Sequence, residues 1–351
     1  MTAGTFELSP GYRISRVIRG GWQLAGGHGA IDRGQAVRDL LAAFDAGIST
    51  YDCADIYTGV EELIGEARMT LARERGSEVG AQVKVHTKLV PDLDKLATIN
   101  RDYIRSIVEQ SLRRLKTERL DLVQFHWWDY AFPGYVDAMH WLKEMQDEGK
   151  VRNLGTTNFD VPKLTEIIAS GISLASQQLQ YSVLDQRPSH GLAELAAEKN
   201  FSLLCYGSVA GGFLSDRWLG QPEPDMPLEN RSLVKYKLII DDFGGWDLYQ
   251  ELLRALRSVA DRHEADIATI ASAWVLRQPQ VAAVIVGARN QAHALANARI
   301  MEIDLSDTDM AAIDDVISRS TGPLGDVYTL ERDRTGRHGS IMHYNLNDGR
   351  T

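Results

Sequence analysis

The chain has 351 residues, 44% apolar and 25% charged, the balance of an ordinary folded protein and not of a disordered or fibrous one. Its formal net charge of -10, with no long Lys/Arg run, argues against nucleic acid, whose phosphate backbone is bound by clustered cations. No apolar run reaches the ~20 residues that span a bilayer, and the start MTAGTFELSPGYRISR lacks a basic stretch followed by an apolar core, so a soluble cytoplasmic protein with no membrane partner is expected.

Taken in order, short β-rich runs alternate with amphipathic stretches. Strands are predicted over about 16–22, 48–53, 83–88, 120–126, 152–157, 175–179, 202–206 and 283–287. Helices fill the gaps: QAVRDLLAAFDAGI carries apolar residues at helical spacing and ends at Gly47, and YIRSIVEQSLRRLKTERLDLV reads as a helix running into a strand. Cys53 and Cys205 each fall inside an apolar strand-like run, with no CxxC or zinc-type spacing, which predicts buried reduced thiols and no metal site.

Repeated βα units imply a parallel sheet, and eight of them close naturally into an α/β-class (β/α)8 TIM barrel. The competing open, doubly wound sheet would carry a Gly-x-Gly-x-x-Gly turn after an early strand, and GGWQLAGGHG lacks that spacing. A single barrel domain over 1–351 is therefore expected. Two stretches interrupt the rhythm: residues 213–246, rich in Pro, Gly and Trp, which read as a lid loop after a late strand, and the tail 320–351. The helix before the tail, LSDTDMAAIDDVISR, has Ser306 ahead of it and Asp309 three residues on, the spacing of a capping box.

Four polar residues, Asp52, Tyr57, Lys88 and His126, fall at or just beyond predicted strand ends, where barrel sites collect. A tyrosine with its ordinary pKa of ~10 is a poor acid at neutral pH, but a neighbouring ammonium favours the phenolate and a carboxylate can hold that ammonium in place. Lys88 and Asp52 fit those parts. His126 at the same point can hydrogen-bond a carbonyl, polarising it while Tyr57 supplies a proton. No side chain donates a hydride, so a reduction requires a nicotinamide cofactor. Trp22, Trp127 and Trp128, with Trp218 and Trp246 as further candidates, read as walls of a small-molecule pocket.

At this point the chain resembles the aldo-keto reductase superfamily, from GGW at 20–22 to a segment ending near Ala298. The run DCADIYTGVEELIG is similar to that family's Asp-x-Ala-x-x-Tyr-Gly block, and HTK, FHWWD, GKVRNLGTTNF, QQLQYS, YGSVAGGFLS and IVGARNQAHALAN follow in its order. The resemblance implies that Tyr57 is the proton donor in a tetrad with Asp52, Lys88 and His126, and that Trp22, Tyr57, His126 and Trp127 meet substrate. It also implies an extended nicotinamide cofactor over the barrel mouth, with Gly21, Trp22 and Asp52 among its binding residues, Thr157, Asn158 and Gln178 holding the nicotinamide carboxamide, and Tyr206 stacked on the ring. Gly207, Ser208, Gly211, Leu214, Ser215 and Arg217 would follow the pyrophosphate, and Gly287, Arg289, His293 and Asn297 the adenosine. Arg289 can pair a 2′-phosphate in fork geometry, which favours NADP over NAD.

The implied activity is an NAD(P)H-dependent interconversion of an aldehyde, ketone or sugar carbonyl with its alcohol. The alternative is a cofactor-sensing subunit similar to channel-associated members of that family. A non-redox lyase or isomerase using Lys88 as an amine nucleophile is a third reading, which the cofactor blocks disfavour. Two departures from the family pattern stand near the site: Tyr206-Gly207-Ser208-Val209 lacks the usual proline, and Val60 replaces a serine.

Overall fold

The computed structural model describes residues 4–25, 31–288 and 290–346. Eight parallel strands close a barrel in sequence order: β1 (Val17–Gly20), β2 (Thr50–Asp52), β3 (Lys84–Leu89), β4 (Leu120–Phe125), β5 (Val151–Thr157), β6 (Ser176–Gln180), β7 (Ser202–Tyr206) and β8 (Val281–Val286), with β8 pairing back to β1. Each predicted strand is present, its ends shifted by a few residues. In β8, VAAVIV, every residue is buried, as expected of a strand covered on both faces.

Several of the surrounding helices begin where an Asp, Asn or Ser side chain accepts an otherwise orphaned backbone N–H. Asp32 caps α1 (Arg33–Asp45), Asn100 caps a helix over Arg101–Arg114, and Asp160 caps one over Val161–Ala169. Ser306 and Asp309 form the reciprocal capping box expected of them at the helix Asp307–Ile317. No helix among the described residues is long and apolar enough to cross a membrane.

The N-terminal segment holds an element that periodicity did not reveal, an antiparallel hairpin of Thr5–Ser9 and Tyr12–Ser15. Its Leu8, Tyr12 and Ile14 pack on the barrel filling at Ile18, Leu122 and Leu204. Arg152, near the start of β5, donates to Gly11 O at 2.7 Å, so the hairpin plugs the end where the strands begin. The stretch 213–246 is not a loop throughout: Arg231–Phe243 is a helix capped by Asn230, and the helix Gly245–Arg262 follows directly. Cys53 and Cys205 are buried free thiols.

β1 and β2 meet at the site end through Gly21, whose N–H donates to Asp52 O at 2.7 Å. A Cβ there would lie 2.7 Å from that oxygen and 2.7 Å from Val60 Cγ1. Gly21→Ala is therefore expected to cost about 1–3 kcal/mol through overpacking, read as a lowered denaturant midpoint; an unchanged midpoint would refute the close approach.

Candidate active site

Asp52, Lys88 and His126 come from the ends of three adjacent strands, and Tyr57 from the turn after β2. Lys88 and Asp52 are both buried, and the Lys88 Nζ donates to Asp52 Oδ2 at 2.6 Å and to Cys53 O at 2.9 Å. The second carboxylate oxygen accepts from Gln124 Nε2 at 3.1 Å and Gln178 Nε2 at 2.6 Å. Asp52 is thus held by three donors, and a carboxylate so ligated keeps its ammonium partner in one place. That ammonium lies 5.1 Å from the Tyr57 ring centroid. Burial disfavours the Lys88 charge, but Asp52 and Tyr57 outweigh it, and its pKa is raised. Burial likewise lifts the Tyr57 phenol above its ordinary value, with Lys88 pulling the other way. The arrangement is a protonated phenol beside a fixed cation, able to release a proton and stabilise the oxyanion left behind.

His126 is buried, its Nδ1 3.2 Å from Thr157 O. Burial and the nearby charge of Arg332 push its pKa down to about 3. Its Nε2 is buried and has no hydrogen-bond partner among the described residues. Trp22 stands 5.1 Å from the Tyr57 ring, and Trp128 stands 4.3 Å from His126. Trp127 corrects the expectation. It is wholly buried, packed on Phe125 and Tyr135, with Nε1 donating to Asp129 O and Phe132 O. Trp218 and Trp246 pack on Phe213 and each other as a separate cluster.

Residues 16–318 match the model described as the aldo/keto reductase family. The chain belongs to the aldo-keto reductase family. An Escherichia coli (strain K12) relative named NADH-specific methylglyoxal reductase is 26% identical over 326 residues, 87% of this chain and 94% of that one. Aldo-keto reductase YhdN of Bacillus subtilis (strain 168) is 27% identical over 90% of this chain and 94% of its own. The solved structure of the glycerol dehydrogenase AKR11B4 from Gluconobacter oxydans superposes with a TM-score of 0.75 at 26% identity, covering 93% of this chain and 98% of that one.

Against the cofactor positions that aldo-keto reductase membership suggests, the fit is uneven. Both Gln178 amide hydrogens are engaged, by Asp52 and by Gln124 Oε1 at 2.8 Å, so toward a ligand this side chain presents its carbonyl oxygen, which suits the N–H of a carboxamide. Asn158 adopts φ 63, donates its N–H to Gln178 O and receives the Tyr206 hydroxyl on Oδ1 at 2.9 Å. Thr157 is buried beside it. After β7 the chain turns through positive φ at Gly207, Ala210, Gly211 and Gly212. There the Ser208 hydroxyl faces Ser272 at 3.0 Å, and the N–H groups of Leu214 and Ser215 donate to Val209 O and Phe213 O. Those groups are engaged by hydrogen bonds within the protein. Arg217 is exposed over Trp218. Asn297 Nδ2 donates to Gly287 O at 3.0 Å, and His293 is exposed on the helix that Asn290 caps. Arg289 lies outside the described residues.

Residues beyond 318, past the family match, supply parts of the site that sequence reasoning missed. The tail folds back over the mouth. Tyr328 stands 5.6 Å from His126, and Tyr344 5.1 Å from Trp128. Arg332 donates to Asn158 O at 2.8 Å and Trp127 O at 2.9 Å. The buried Glu331 accepts from Arg187 at 3.0 Å, and Arg187 also donates to the buried Asp185. His338 is buried on Asp242, whereas His343 is exposed. From Arg231–Phe243, Lys235 reaches 5.1 Å from the Tyr206 ring, and Arg231 5.9 Å from the Trp22 ring.

Proposed function

We propose that this chain is an NAD(P)H-dependent oxidoreductase that interconverts a small carbonyl compound and its alcohol, with Tyr57 as proton donor. The observation that carries the reading is the buried Lys88–Asp52 pair fixed beside the Tyr57 phenol in a chain of the aldo-keto reductase family. In reduction, Tyr57 gives its proton to the carbonyl oxygen, Lys88 stabilises the phenolate that remains, and Asp52 holds Lys88 in place. The nicotinamide cofactor, when bound, supplies the hydride. The Gln178 carbonyl oxygen and Asn158 would hold its carboxamide, and the Tyr206 ring offers a flat face for stacking.

NADP is the cofactor in this reading, with Arg289 as the partner of the 2′-phosphate. NAD is the alternative, the Escherichia coli relative being named NADH-specific. Fluorescence titration with NADPH and NADH, followed by an absorbance assay on a panel of aldehydes, ketones and sugars, tests both parts. Tight binding with turnover of a carbonyl is expected, and Arg289→Ala should weaken NADPH much more than NADH. Binding without turnover of any carbonyl would instead favour a cofactor-sensing subunit.

A further inference from the structure

The helix Arg231–Phe243 carries two lysines with opposite surroundings. Lys237 is paired twice, with Glu223 at 2.6 Å and Asp241 at 2.5 Å. Lys235 is half-buried and makes no ion pair or hydrogen bond among the described residues. Its ammonium stands instead 5.1 Å from the centroid of the Tyr206 ring and 5.6 Å from that of Tyr236, the arrangement in which an aromatic face attracts a cation. Burial disfavours that charge and lowers the Lys235 pKa, against the pull of Glu331. Glu331 and Asp185 both bond Arg187, and neither touches Lys235. The position of the ammonium is set from both sides. Tyr206 cannot swing away, since its hydroxyl donates to Asn158 Oδ1 at 2.9 Å. The helix seats closely on the loop after β7, where a Cβ at Gly207 would lie 2.7 Å from the Tyr236 hydroxyl oxygen.

We propose that Lys235 makes the site discriminate between the oxidation states of its cofactor: the ammonium fixed at Tyr206 weakens binding of the oxidised nicotinamide, whose ring is cationic, relative to the reduced one, whose ring is neutral. The inference rests on the oxidoreductase reading given above, with Tyr206 as the stacking ring. Its ground is Coulombic. A ring laid on Tyr206 leaves no layer of water between itself and that aromatic, so a positive charge in it meets Lys235 through protein, where like charges repel several times more strongly than through solvent. Any attraction of Lys235 for the cofactor's phosphates is common to both oxidation states and cancels when the two are compared. Lys88 is a second cation in the site, but its charge is committed to Asp52 at 2.6 Å, whereas no carboxylate pairs with Lys235 among the described residues. In carbonyl reduction the oxidised cofactor is the product, so Lys235 promotes its release and keeps the free site open to the reduced form.

Isothermal titration calorimetry of the full chain with NADPH, NADP+, NADH and NAD+ tests this. Wild type should bind the reduced member of the pair it accepts more tightly than the oxidised one. Lys235→Met, of similar length and without charge, should lower the ratio of the oxidised to the reduced Kd by about threefold or more. Lys235→Gln, a second neutral variant, should do the same, and Lys235→Arg, which keeps the charge, should leave the ratio near that of wild type. A lysine with only a structural part would shift both Kd values by one factor and leave the ratio alone. An oxidised form bound by wild type as tightly as the reduced one, or a ratio unchanged in the neutral variants, overturns the inference. Wild type that binds neither pair overturns the oxidoreductase reading instead, and the two failures are separable because calorimetry does not depend on turnover.

Discussion

Replacing Tyr57 by phenylalanine should lower kcat for carbonyl reduction by about 10²–10⁴-fold while leaving the affinity for nicotinamide cofactor nearly unchanged. The ring stays, so its contacts with Trp22 and the Lys88 ammonium persist, and only the proton is lost. The same geometry sets a pH dependence. Burial raises the Tyr57 pKa above the ordinary value of ~10, with Lys88 opposing, so the proton-donating form is present throughout the neutral range. Reduction should run level across neutral pH and decline only on the alkaline side as the phenol ionises. Steady-state kinetics across pH, with fluorescence titration of the variant, check both. A kcat within tenfold of wild type, or cofactor binding lost along with activity, would remove Tyr57 from its assigned part.

The barrel was readable because parallel strands buried on both faces must be apolar throughout, and VAAVIV and its counterparts have few other uses. Polar residues at the ends of such runs stand out for the same reason, and Asp52, Lys88 and His126 do converge at one end. Gln124 carried the same signal, an amide inside LDLVQF, and proves to be one of the three side chains that hold Asp52. Trp127 was read as a wall from its residue type, but its ring is wholly buried and its N–H is taken by the carbonyls of Asp129 and Phe132, contacts made by the loop after β4 that no pattern in the run itself announces. The Pro10-Gly11 turn marked the N-terminal hairpin, and Asn230 marked a helix start, but the Pro- and Gly-rich residues just before it masked the helix Arg231–Phe243. The tail had no such signal. Its polar residues follow no period, and what holds Glu331 is an arginine 144 positions earlier, a pairing that only the fold creates.

That pairing should carry much of the stability of the tail. Arg187 is buried between Asp185 and Glu331, donating to both, and is the only basic side chain in ion-pair contact with either among the described residues. Removing it strands two buried carboxylates, and breaking a buried ion pair from one side costs about 3–5 kcal/mol. Arg187→Met should therefore lower unfolding stability by that amount and speed hydrogen exchange across residues 326–346. Glu331→Gln should cost less, since Arg187 keeps Asp185 and the amide oxygen can still accept. The same contact predicts an acid response. Burial raises the Glu331 pKa, but Arg187 and then Lys235 outweigh it and hold it down to about 2, below the ~4.3 of an unfolded glutamate. A depressed carboxylate stabilises fully above its unfolded pKa and loses that contribution as pH falls through its folded one. Tail protection should thus weaken from roughly pH 4 and vanish below about pH 2, and the step should be absent from Glu331→Gln. Because Tyr328 and Arg332 ride on the same segment, release of the tail also uncovers His126 and frees the Asn158 carbonyl. Arg187→Met with unaltered stability and exchange would mean that the aromatic contacts of Tyr328 and Tyr344 hold the tail without the ion pair.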